Sequence, residues 1–157
     1  MSQFVPPKPR LVSAKRGFVL VASQFNANYV QGLVTHCTEE LRRLSPAANV
    51  TLHLVPGAFE IPIVVREIAI KKAADAIVAL GVIIDGKTAH AQHLAKAVTH
   101  ALQQLAIEHG VPVINCVLNL KNEAQARERC LEEKINRGTE AARAAYEIAN
   151  LLAELRR

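Results

Sequence analysis

The chain has no tryptophan among its 157 residues, and only 4% of them are aromatic. Its basic side chains are therefore not interleaved with rings on which unpaired bases could stack. The formal charge of +5 would by itself suit nucleic acid. However, Lys8, Arg10, Lys15 and Arg16 crowd the first residues, Arg156 and Arg157 close the chain, and the remaining charges alternate in sign as they do on solvated helix faces. A phosphorylated small molecule accounts for the charge equally well, and no nucleic-acid partner is expected. Cysteine is sparse: Cys37, Cys116 and Cys130 are odd in number, widely spaced and without a CxxC pair, which argues against a disulfide framework. The segment from Met1 to Arg16 has no apolar stretch of the kind a secretory signal requires. No apolar run is long and charge-free enough to span a bilayer. These absences predict a cytoplasmic protein of a reducing compartment with no membrane partner. There is also no internal repeat and no low-complexity segment.

What is present is aliphatic. Half of the residues are hydrophobic, mostly Ala, Val, Ile and Leu, the usual filling of a parallel sheet covered by helices. Residues 1–16, with Pro6, Pro7 and Pro9, read as an extended arm, and residues 17–157 as a single domain. The periodicity predicts strands over Phe18–Ala22, Val50–Val55, Ala76–Ile84 and Val113–Leu118. It predicts helices over Asn28–Leu44, Ile61–Lys72, His90–His109, Glu123–Lys134 and Thr139–Leu155, with Gly110 ending the third and Asn136–Gly138 separating the last two. Val50–Val55 alternates as a half-buried strand does. Strands alternating with helices imply an α/β fold, a flavodoxin-like three-layer αβα sandwich around a four-stranded parallel sheet.

In such sheets ligands bind beyond the carboxyl ends of the strands, which selects four segments: Ser23–Asn26, Val55–Glu60, Gly81–His90 and Asn115–Leu120. In the third, Gly86, Lys87 and Thr88 precede a long helix, whose free N–H groups and dipole favour an anion; Thr88 either joins that site or caps the helix. The segment lacks the full pattern of a nucleoside-triphosphate loop. His90, in the first helical turn, is either an acid/base group or an exposed helix histidine. It forms an HxxH pair with His93, but no third ligand is evident, so no metal is expected. In the second segment, Gly57 permits a positive-φ turn, Phe59 offers a flat apolar wall, and Glu60 is an acceptor at a helix start, a combination suited to the polar edge of a heterocycle or simply to helix entry. Phe25 is either a stacking ring beside Asn26 or an ordinary core ring.

Together these segments resemble the lumazine synthase family over nearly the whole chain from Gly17 onward. Val55-Pro-Gly-Ala-Phe-Glu-Ile-Pro62 is the strongest match. Ala22-Ser-Gln-Phe-Asn26, Gly81–His90, Gln125-Ala-Arg-Glu-Arg129 and Asn136-Arg-Gly-Thr-Glu-Ala-Ala142 are similar to further family motifs at matching separations. The resemblance implies an enzyme that joins 5-amino-6-(ribitylamino)uracil to 3,4-dihydroxy-2-butanone 4-phosphate without a cofactor or metal, giving 6,7-dimethyl-8-ribityllumazine, phosphate and water. It implies that Phe25 stacks on the pyrimidine, that Ala58, Phe59 and Glu60 bind its polar edge and ribityl chain, and that Val82, Ile83 and Ile84 bound the ring. Lys87, Thr88 and Arg129 would hold the phosphate, His90 would shuttle protons, and Asn115 would form a polar part of the wall. It also implies a homo-oligomer: a pentamer, decamer or sixty-subunit shell. The chain departs from the family pattern at Asp85, where a basic residue is usual, at Ala91-Gln92, and at Asn115, Cys116 and Asn119-Leu120 on the fourth strand, where an aromatic, a glycine and a Thr-rich stretch are usual. A non-catalytic flavin- or lumazine-binding or shell-forming relative is the alternative these departures leave open.

Overall fold

Ala76–Ile84 is apolar at every position, and a strand of that kind must be covered on both faces. It forms β3, at the centre of the sheet beside β1 (Gly17–Ser23), with β2 (Asn49–Val55) and β4 (Val113–Leu120) at the edges in the order β2-β1-β3-β4. All three pairings are parallel. Helices α1 (Ala27–Leu44), α2 (Ile61–Ile70) and α3 (His90–His109) join successive strands, and α4 (Glu123–Cys130) and α5 (Arg137–Leu155) follow β4. This computed structural model describes residues 3, 7–9, 11 and 15–157, so most of the arm expected over residues 1–16 lies outside the described residues.

The pleat sends alternate side chains to opposite faces. Phe18, Leu20 and Ala22 of β1 join a core formed with α1, α4 and α5, including Leu33, Leu41, Cys130 and Tyr146. Val19 and Val21 join a second core with α2 and α3, including Ile61, Val65, Val98 and Leu102. The result is the expected three-layer sandwich. From β1 the chain moves outward to β2, crosses back to β3 and continues outward to β4. That reversal leaves a crevice at the carboxyl ends of β1 and β3, the position where doubly wound sheets bind ligands.

Four elements differ notably from the pattern expected of them. β2 is not half-buried: Leu52 is 42% and Leu54 58% exposed, because at the sheet edge the flanking helices cover its faces poorly. β4 runs two residues further than predicted, since Asn119 and Leu120 continue the register opposite Ile83 and Ile84. α4 stops at Cys130 rather than Lys134, because the N–H groups of Leu131 and Glu132 both donate to Arg127 O, at 3.0 and 3.2 Å, which closes the helix. α5 starts two residues earlier than expected because Asn136 caps it, its Oδ1 accepting from the N–H groups of Gly138 and Thr139.

α1 and α5 touch closely. A Cβ at Gly138 would lie 2.4 Å from the carbonyl oxygen of Leu33, which belongs to backbone that cannot turn aside. Gly138→Ala is expected to destabilise the fold by about 1–3 kcal/mol through overpacking, read as a lower urea midpoint. The same two helices are joined by Glu40, which accepts from Arg143 Nε at 2.8 Å and from Arg43 Nε at 2.9 Å. Burial alone would raise the Glu40 carboxyl, but the hydrogen bonds from Arg43 and Arg143 outweigh it and hold the carboxyl below its usual range. All three cysteines are free and buried. Burial pushes the thiols of Cys37 and Cys130 up to about 12, so they remain protonated core groups.

Candidate active site

The crevice between β1 and β3 opens into a cavity of about 650 Å³. Four chain segments build it. The end of β1 supplies Ser23, Phe25 and Asn26; the turn after β2 supplies Gly57, Ala58, Phe59 and Glu60; the end of β3 supplies Val82, Ile83 and Ile84; and the start of α3 supplies His90, Ala91 and Leu94. Of the residues predicted from the sequence, Phe25, Ala58, Phe59, Glu60, Val82, Ile83, Ile84 and His90 thus meet in one space. Ser23 lies in a segment selected from the sequence without being singled out, and Leu94 is not among the residues expected there. Leu94 lies one helical turn beyond His90 and shares its face, a spacing that would have found it.

Phe25 is 73% and Phe59 68% exposed. These values exclude a core role for Phe25 and leave two bare aromatic rings at the cavity, where a flat ligand can stack. Phe25 is held there by its neighbour. Asn26 adopts a left-handed conformation, φ 57°, which asparagine tolerates better than most residues, and its side-chain amide donates to Val82 O at 2.7 Å. The bond ties the β1 loop to the end of β3 across the crevice.

The turn after β2 is a short 3₁₀ segment, Ala58–Glu60. Gly57 in it is extended, φ −139°, so the positive-φ turn expected there is not formed. A Cβ at this point would lie 3.0 Å from Glu60 Oε2, so a larger residue would push the carboxylate from its place. The Gly57 N–H donates to that same oxygen at 2.9 Å, and the Glu60 N–H donates back to Gly57 O at 3.2 Å. The Glu60 carboxylate is thereby fixed at the cavity wall as an oriented acceptor. Pro62 follows in the first turn of α2, where its missing N–H costs nothing.

His90 is the first residue of α3 and is exposed. Thr88 does not cap this helix in the usual way; its Oγ1 accepts only a long bond, 3.4 Å, from the His90 N–H, and the helix start has no side-chain cap. The first turn therefore keeps donors available beside the cavity. Among the described residues no group of three His, Cys, Asp or Glu is arranged to hold a metal ion; His90 and His93 have no third ligand.

The structure does not bring Lys87, Thr88, Asn115 and Arg129 into the walls of this cavity. Lys87 and Thr88 stand exposed in the loop leading to α3. Asn115 was expected at a strand end but lies inside β4, opposite Ala79. Its side chain faces α3, donating to Thr99 Oγ1 at 3.2 Å and accepting from the Val117 N–H at 3.0 Å. Arg129 sits in the last turn of α4, on the α1 side of the sheet. Its side chain is 13% exposed, and its sole ion-pair contact among the described residues is a loose one to Glu128 at 3.8 Å. Its Nε is buried without a hydrogen-bond partner. A buried guanidinium lacking an acceptor is costly unless a ligand or a further chain provides one.

The fold and the cavity define a doubly wound α/β protein with an aromatic-lined crevice beside a histidine at the switch point of its sheet. The family described as 6,7-dimethyl-8-ribityllumazine synthase matches this chain over residues 15–153. A 6,7-dimethyl-8-ribityllumazine synthase from Leptothrix cholodnii is 39% identical over 137 residues, covering 87% of this chain and 86% of the relative. The chain belongs to the 6,7-dimethyl-8-ribityllumazine synthase family, a family of transferases in riboflavin biosynthesis. Among the described residues no helix is long and apolar enough to cross a membrane.

Proposed function

We propose that this chain condenses 5-amino-6-(ribitylamino)uracil with 3,4-dihydroxy-2-butanone 4-phosphate to give 6,7-dimethyl-8-ribityllumazine, phosphate and water. The observation that carries this reading is the meeting of Phe25, Phe59, Glu60 and His90 around one cavity. The pyrimidine stacks on Phe25, its polar edge faces the Glu60 turn, and Val82, Ile83 and Ile84 bound the ring. His90 moves the protons that imine formation and phosphate loss require near neutral pH. The rest of the rate comes from holding two substrates in register. Phe25, Phe59, Glu60, His90 and Arg129 are all retained alongside Asp85, Ala91 and Asn115, which favours the enzyme over a non-catalytic binding or shell-forming relative. Appearance of lumazine absorbance only when both substrates are supplied tests the reaction.

The substrate phosphate needs a cation, and the cavity walls contain no Lys or Arg. Arg129, with its buried Nε lacking a hydrogen-bond partner among the described residues, lies elsewhere in the same copy. Both facts are accounted for if Arg129 and Asn115 of a neighbouring copy complete the cavity, with Lys87 and Thr88 at its mouth. Other surfaces support such an assembly. A groove of about 440 Å³ between α2 and α3 is lined by Phe59, Ile63 and Leu105, and Ile63 and Ile107 are 59% and 74% exposed. The open edge of β2 is apolar at Leu52 and Leu54 and offers a place for the N-terminal arm of another copy. One heterologous contact repeated with rotational closure makes a ring, here a pentamer or a multiple of it. Light scattering at micromolar concentration is expected to give the mass of five protomers or a multiple. A monomer with full synthase activity would rule out both the ring and the shared site.

A further inference from the structure

We infer that Asn136 is a positioning residue for Arg129, acting by fastening the end of α4 to the start of α5. The inference rests on the assignment of Arg129 to the substrate phosphate.

α4 has eight residues, too few to be a stable helix on its own. Its sequence is mostly polar, and its buried residues are Ala126 and Cys130. Its orientation therefore depends on how its ends are held. At the start, Asn122 Oδ1 accepts from the Gln125 N–H at 2.9 Å. At the other end, the side-chain nitrogen of Asn136 donates to Cys130 O at 3.1 Å and to Glu132 O at 2.9 Å. The same side chain accepts from the N–H groups of Gly138 and Thr139, at 2.9 and 3.2 Å.

Asn136 is 2% exposed. Both of its donors and both acceptor sites are in use, the full capacity of a carboxamide, so neither a flipped amide nor water substitutes for it. From the opposite side, α1 presses on the same carbonyl: a Cβ at Gly32 would lie 2.4 Å from Cys130 O. Cys130 is thus gripped between Gly32 and Asn136, and Arg129 is the residue immediately before it. A guanidinium held in this way keeps its buried Nε open for an anion, without first having to order the helix that carries it.

The two halves of the Asn136 side chain can be separated. In Asn136→Ser the hydroxyl still accepts from the first turn of α5, but both bonds to α4 are lost. Asn136→Asp likewise keeps the cap and places an oxygen against two carbonyls. Steady-state kinetics with both substrates, and competition by inorganic phosphate, provide the readout. KM for the butanone phosphate should rise about tenfold through misplacement of the guanidinium. The inhibition constant for phosphate should rise with it, while KM for the pyrimidine and kcat stay nearly unchanged. Adding Asn136→Ser to Arg129→Ala should cause no further rise. An unchanged KM for the butanone phosphate in Asn136→Ser, with Arg129→Ala raising it, overturns the positioning role and leaves the assignment of Arg129 intact. An equal rise for both substrates in both Asn136 variants also overturns it, because that is what general loosening of the fold produces. If Arg129→Ala itself leaves the phosphate terms unchanged, it is the assignment of Arg129 that fails.

Discussion

His90→Ala is expected to slow turnover by about one to three decades, the range associated with removing a positioned acid/base group, while the pyrimidine still binds. The split follows from the geometry. His90 contributes one part of a cavity whose proposed stacking and edge contacts come from Phe25, Ala58, Phe59 and Glu60, which line it from two other loops. Removing the imidazole leaves these loops in place, because the side-chain amide of Asn26 and the N–H of Gly57 hold them independently of α3. The helix start is equally undisturbed, since alanine is a good helix former and the His90 contact to Thr88 uses its backbone N–H. Water entering the vacated space can carry part of the proton traffic, so a residual rate is expected. A rate equal to that of the unmodified protein would remove His90 from the mechanism.

Arg129→Ala is expected to weaken the phosphorylated substrate by about 1.5–3 kcal/mol, the magnitude of a charge-assisted hydrogen bond to phosphate. That corresponds to roughly a 10- to 150-fold rise in KM for the butanone phosphate. The pyrimidine should be nearly indifferent, as it carries no charge for the guanidinium to meet. Because Arg129 Nε has no partner among the described residues, its removal strands no protein acceptor, and the fold should lose little stability. Equal weakening of both substrates would contradict the assignment.

The parts of this molecule that were legible in the sequence are those fixed by local pattern. β3 could be delimited to the residue because it is apolar throughout, and α3 because Gly110 takes a left-handed conformation, φ 65°, directly after it. The cavity residues on three strand-end loops were legible because the fold class dictates where such loops converge. What was not legible depends on distant contacts. The end of α4 is closed where Leu131 and Glu132 turn back to Arg127 O and is fastened by the amide of Asn136, contacts that the periodicity of Glu123–Lys134 does not contain. The alternation of Val50–Val55 implied a covered face, yet cover for an edge strand must come from outside its own sheet. Asn115 reads as a strand-end residue because the asparagines of Asn115–Leu120 interrupt the apolar pattern, whereas the register with β3 carries the strand through it to Leu120. Arg129 is marked by its motif, but no pattern in the sequence could reveal that its Nε is buried without a hydrogen-bond partner among the described residues and that it is absent from the cavity of its own copy.

The proposed reaction makes a lumazine in this cavity and expels phosphate from the bound butanone phosphate. The most direct measurement follows lumazine absorbance and inorganic phosphate together after the protein is mixed with both substrates. One phosphate should be released for each lumazine formed, and both products should appear at rates lowered in parallel by His90→Ala and by Arg129→Ala at limiting butanone phosphate. Tight binding of the pyrimidine or of lumazine, with neither product accumulating above the uncatalysed reaction, would contradict it.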